Sequence, residues 1–162
     1  MCQRMSEQVT QIAEMPRKRP TALMGVHSRN LDPKKRLTVP SMWREALGGD
    51  YVYVMKDPNL HCLRMIPPRI LDARIAELEN ISLVDAKANE QLEYIGANSE
   101  ALEFDVQGRI RIPDAMLAFA GLKGAVELRG GIRSATIRPA GTLPEAGTDV
   151  AALRDAMVQM HF

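Results

Sequence analysis

Leu31-Asp32-Pro33-Lys34-Lys35-Arg36-Leu37-Thr38-Val39-Pro40 returns 73 positions later as Phe104-Asp105-Val106-Gln107-Gly108-Arg109-Ile110-Arg111-Ile112-Pro113. Aspartate, arginine and proline are identical in the two copies, and each arginine is followed by an aliphatic–polar–aliphatic alternation. The likeness continues past the proline. Trp43, Ala46 and Leu47 place apolar side chains at helical spacing, as Met116, Phe119 and Ala120 do at the matching positions. Gly48 and Gly121 then stand where a helix would end. Each copy therefore reads as strand, tight turn, short strand and a short helix opened by proline, whose missing N–H suits a first helical turn.

The turn has a physical logic. An aspartate at its first position accepts from backbone N–H groups two residues on. The fourth residue needs a positive φ, which Gly108 adopts freely and which Lys35, its counterpart, adopts at a cost on the order of 1 kcal/mol. The arginine that follows has a planar fork able to meet either a carboxylate or a phosphate. Two roles are therefore open to Arg36 and Arg109: pinning the turn through Asp32 and Asp105, or facing an external anion. Charge separates the copies. Residues 22–48 carry Arg29, Lys34, Lys35, Arg36 and Arg44 against Asp32 and Glu45, a local +3, whereas residues 99–121 come to −2. A cationic β-ribbon releases counterions from phosphates and fits a DNA groove, which points to the first copy as the reader.

Beyond each short helix comes a strand pair: Tyr51–Lys56 with Cys62–Ile66, and Ala125–Arg129 with Ala135–Arg138. Between the copies, apolar spacing predicts helices over Arg69–Asn80 and Asp85–Asn98, a helical pair whose net acidity suits no DNA face. Residues 140–148 read as a linker, and Asp149 as the cap of a last helix reaching about Met160. The expected organisation is an N-terminal extension over 1–21, a first repeat over 22–68, a helical insert over 69–98, a second repeat over 99–139, and a linker with a C-terminal helix over 140–162. Pro16-Arg17-Lys18-Arg19-Pro20 ends the extension, read as a solvated arm or one that follows DNA phosphates.

With 162 residues, 25% of them charged and 46% hydrophobic, the chain is globular in composition. No apolar run is long enough for a membrane span, no export signal is visible, and two cysteines form no disulfide framework, so a cytoplasmic protein is expected. His27, His61 and His161 are scattered and no metal-ligand spacing or nucleophile signature appears, so neither a metal, nor a cofactor, nor a small-molecule substrate, nor an enzyme is expected. Aromatic residues, at 4%, are too few for a platform that stacks single-stranded nucleic acid.

Over residues 23–139 the sequence resembles the MraZ family, on Gly25 seven positions ahead of Asp32, on HSRNLDPKKRLTVPSMWREALG and on FDVQGRIRIPDAMLAFAGL. The resemblance implies an α+β fold: two swapped-hairpin, AbrB-like repeats sharing a double-split β-barrel, with the helical pair between them and the C-terminal helix after them. It implies a sequence-specific regulator of transcription, a nucleoid-associated repressor of its own division and cell-wall gene cluster. Its partners would be double-stranded promoter DNA carrying repeated sites and further copies of itself in a ring. The DNA-binding residues would be Arg29, Lys34, Lys35 and Arg36, and the turn-structuring residues Asp32, Asp105, Gly108 and Arg109. Lys35 departs from the family's glycine, and neither the extension nor the tail beyond 140 carries a motif to transfer. The reading that competes is an assembly protein whose repeats serve association alone.

Overall fold

In the computed structural model, residues 20–141 and 149–162 are described. Residues 1–19 of the expected extension over 1–21, and 142–148 of the expected linker, lie outside them.

The first half runs β1 (Val26–Asn30), β2 (Arg36–Thr38), α1 (Ser41–Leu47), β3 (Tyr51–Asp57) and β4 (Cys62–Ile66). Two helices follow, α2 (Pro68–Leu78) and α3 (Ala86–Ala97). The second half repeats the order as β5 (Ser99–Glu103), β6 (Arg109–Arg111), α4 (Asp114–Ala120), β7 (Ala125–Gly130) and β8 (Ala135–Pro139), and α5 (Val150–Gln159) ends the chain. The result is a mixed α+β fold with antiparallel sheets and five helices among the described residues.

The ends of the short helices follow from sequence. Pro40 and Pro113 sit one position before the first helical residue, and their carbonyls accept from the N–H groups of Trp43 (2.9 Å) and Met116 (3.0 Å). They are thus caps and not first-turn residues. Gly48 (φ 66°) and Gly121 (φ 63°) turn left-handed and end both helices. The side chains of Asp85 and Asp149 accept from the N–H groups three residues on, capping α3 and α5.

The halves are interleaved. One sheet has the order β1-β7-β8-β4-β3-β5, so β1 of the first half pairs with β7 of the second and β5 of the second with β3 of the first. A second, two-stranded sheet joins β2 to β6. Its register sets Leu37 opposite Ile110, residues that are counterparts at the offset of 73. A pseudo-twofold axis therefore passes between them. In the large sheet the corresponding pair is Leu63 opposite Ile137, an offset of 74. The extra residue lies between Gly121 and Val126, five steps apart, where Gly48 and Val52 are four apart. Register reports the same step: Arg29 faces Val126 and its counterpart Leu102 faces Val52.

Both halves supply the core. Leu37, Ile110, Leu63, Ile137, Val52 and Val126 have no exposed surface, and Trp43 is 1% exposed. Trp43 donates its indole N–H to the Met24 carbonyl at 2.8 Å and meets His27 edge-on, fixing the entry of β1 against α1. Of the two helices between the halves, α2 docks on β3, where Tyr53 donates to Asp72 at 2.8 Å, and α3 lies against β5. No described helix is long and apolar enough to cross a membrane.

Candidate nucleic-acid interface

The two Asp-x-x-x-Arg segments fold into turns that match bond for bond. Asp32 Oδ1 accepts from the N–H groups of Lys34 (2.9 Å) and Arg36 (2.8 Å), while Oδ2 accepts from Arg36 Nε at 2.6 Å. Asp105 Oδ1 accepts from Gln107 (2.9 Å) and Arg109 (2.9 Å), and Oδ2 from Arg109 Nε at 2.7 Å. The fourth residue is left-handed in both, Lys35 at φ 61° and Gly108 at φ 75°.

Charge responds to this geometry. Partial burial pushes the Asp32 carboxyl up, but the bonds from Arg36 and Lys34 outweigh it and hold it below the ordinary 3.8. For Asp105 the backbone bond from Arg109 dominates, opposed by burial and joined by the guanidinium, again with a lowered result. Both carboxylates thus stay ionised and bound to their arginines near neutrality.

The turns also touch each other. Ile112 donates its N–H to the Lys35 carbonyl at 3.0 Å, Val39 donates to the Gly108 carbonyl at 3.1 Å, and Arg109 Nη1 comes within 3.9 Å of Asp32 Oδ2. They form one surface astride the pseudo-twofold axis.

Arg36 and Arg109 have equivalent local geometry: each pins its turn through Nε and remains partly exposed, at 29% and 24%. The difference between the copies lies at the tips. The first presents exposed Pro33 and Lys34, the second exposed Val106 and Gln107. Lys34 donates its backbone N–H inward, and its ammonium has no partner among the described residues. Lys35 is held by Asp114 at the start of α4, whose carboxyl is lowered by that contact. Arg29 is set apart from the tip. It faces buried Val126 across the β1–β7 register and turns its guanidinium onto the Ser28 carbonyl at 2.8 Å.

Two arrangements had no separate signal in the sequence. Asp57, 9% exposed, is gripped by Arg64 through Nε (3.0 Å) and Nη2 (2.6 Å), and Arg64 Nη1 reaches Ser134 Oγ at 3.1 Å, tying the halves together. Arg44 of α1, counted by sequence with the first copy's charge, lies instead against Gly108 of the second turn. No three of His, Cys, Asp and Glu gather as a metal site among the described residues. His61 stacks on Phe119, with ring centroids 5.1 Å apart.

No family profile matches the chain. Individual proteins do. The transcriptional regulator MraZ of Leuconostoc citreum is 31% identical over 107 residues, covering 66% of this chain and 73% of that protein. MraZ of Mesoplasma florum is 31% identical over 106 residues, or 65% and 72%. MraZ of Saccharopolyspora erythraea is 31% identical over 99 residues, or 61% and 68%.

Proposed function

Because the chain belongs to the MraZ family of transcriptional regulators, which are not enzymes, we propose that it is a sequence-specific DNA-binding repressor of its own division and cell-wall gene cluster. In this reading the first Asp-x-x-x-Arg turn meets the DNA. Asp32 holds the loop, Arg36 pins it and offers the rest of its guanidinium outward, and Lys34 and Lys35 meet phosphates. Arg29, set apart from the tip on β1, is the fourth DNA-binding residue of this reading. Asp105, Gly108 and Arg109 build the matching second turn.

The observation that carries the proposal is Lys34: an exposed ammonium, free of partners among the described residues, at the tip of a rigid turn. Such a group loses little internal stabilisation on meeting a phosphate and releases a counterion when it does. The repeat boundaries over 22–68 and 99–139 define the two halves of one DNA-binding unit, with 69–98 as an insert between them and 1–21 and 140–162 as appendages. The sheets close into a shared barrel, and identical subunits assemble as a nucleoid-associated ring. A ring sets several turns along repeated promoter sites, which multiplies weak single interactions through effective concentration.

The test uses a duplex from immediately upstream of its own gene, with fluorescence anisotropy over a salt series and light scattering of the same samples. The proposal expects tight, steeply salt-dependent binding by a closed oligomer, resistant to mixed-sequence competitor. An assembled protein indifferent to the duplex would favour the association-only reading.

A further inference from the structure

Arg44 is an unexplained cation. Its Nε is buried and has no hydrogen-bond partner, and the side chain forms no ion pair with a described carboxylate. Buried donors are almost always satisfied, so an orphan on a guanidinium asks for a reason. The group lies against the second turn: a Cβ built on Gly108 would stand 2.1 Å from Nη1, 2.3 Å from Cζ and 2.5 Å from Nε. Glycine at 108 is thus required twice, by its φ of 75° and by the guanidinium that occupies the side-chain position. Beside it is an open hollow of about 360 Å³, lined in part by Asp50, Asp105 and Val106.

The pseudo-twofold axis gives this arrangement its meaning. At the offset of 73, Arg44 corresponds to Leu117 and Gly108 to Lys35. Each turn therefore has one long cation beside its fourth residue, delivered from opposite elements. At the first turn the fourth residue itself, Lys35, supplies it, and the helix position that corresponds to Arg44 is Leu117. At the second turn the helix supplies Arg44 and the backbone offers glycine. Neutralisation differs as well. Lys35 meets Asp114, whose counterpart beside Arg44 is the uncharged Ser41. Asp105, the acid nearest in the turn, is already bound through both oxygens.

The geometry points to Arg44 as a further DNA-binding residue: it gives the second turn a cation for a backbone phosphate, so that both turns of one subunit engage the duplex. This rests on the DNA-binding reading above and extends it to a residue and a turn that the local charge of residues 99–121 had set aside. A planar guanidinium held in place by packing is well suited to phosphate, because little freedom remains to be lost on binding.

The test compares wild type with Arg44→Leu, which copies the arrangement at Leu117, and Arg44→Gln, which keeps a planar group without the charge. Binding to a labelled duplex from upstream of its own gene is followed by anisotropy from low to high salt, with melting and light scattering on each variant. Both variants are expected to stay folded and assembled, to bind roughly 5- to 100-fold more weakly, and to show a log–log salt slope shallower by about 0.9 for each phosphate left without its cation. Arg44→Leu combined with Gly108→Lys rebuilds the Lys35 arrangement at the second turn and is expected to restore the slope. Folded, assembled variants with wild-type affinity and slope would overturn the inference, as would a double variant that fails to recover the slope. Wild type that shows no salt-dependent binding would instead overturn the DNA-binding reading itself.

Discussion

Replacing Gly108 by alanine should destabilise the protein far more than replacing Lys35 by alanine, although the two positions are counterparts. At φ 75° an L-residue costs about 1–2 kcal/mol over glycine, and a native conformation incompatible with the new side chain forfeits the usual gain from stiffening the unfolded chain. The new Cβ would fall 2.1 Å from Arg44 Nη1, so the guanidinium must leave its place, at about 0.5–1.5 kcal/mol for an off-rotamer side chain. Together the loss is about 1.5–3.5 kcal/mol. For a domain of this size that lowers Tm by roughly 3–14 °C. Lys35 already bears its left-handed cost at φ 61°, so Lys35→Ala should shift Tm by no more than about 2 °C. In a double-mutant cycle, Arg44→Leu should relieve the crowding share of the Gly108→Ala loss and leave the backbone share. Thermal melting of the four proteins at equal concentration decides it. A Gly108→Ala protein melting within about 2 °C of wild type would refute the reasoning, as would a cycle with no coupling between positions 44 and 108.

Other consequences are as specific. Trp43→Ala empties a site 1% exposed and removes the indole bond to the Met24 carbonyl, so denaturant unfolding should report a loss of about 3–5 kcal/mol. Asp32, Asp57, Asp105 and Asp114 all titrate below the ordinary aspartate value of 3.8. Groups lowered by folding stabilise fully above their unfolded value and lose that contribution as pH falls through the folded one. Tm should therefore be level from neutrality to about pH 5 and fall progressively below it, and a fall already complete at pH 5 would count against the aspartate bonds. Arg109→Ala should lower Tm, because Arg109 bonds Asp105 and approaches Asp32, while its loss of DNA affinity per site stays below that of Arg36→Ala; anisotropy and melting on the same samples separate the two effects.

Much of this fold was legible because one repeat constrains the other. Asp32 and Asp105 signal the same turn, Gly48 and Gly121 the same helix end, and Asp149 announces a cap that formed as read. What pairs with what was less accessible. The exchange of β1 and β5 between halves was suggested by family resemblance alone, since alternation along a strand does not name its partner. The step from 73 to 74 was hidden in the stretch between Gly121 and Val126, where no motif anchors an alignment. Local charge counting misplaced the reach of side chains: Lys35 is matched by Asp114 from the other half, and Arg44 serves the other half's turn. Both interactions cross the pseudo-twofold axis, and sequence distance says nothing about such pairs.

In the proposed reading the first turn delivers cations to DNA phosphates, and Lys34 is the one to remove because its ammonium has no internal partner among the described residues. The measurement is the salt dependence of binding to the upstream duplex for wild type and Lys34→Ala, at equal assembly state. Lys34→Ala should keep the wild-type Tm, bind more weakly at every salt concentration, and lower the slope of log affinity against log salt by about 0.9 for each subunit whose turn meets the duplex. A Lys34→Ala protein with the wild-type affinity and slope would contradict it.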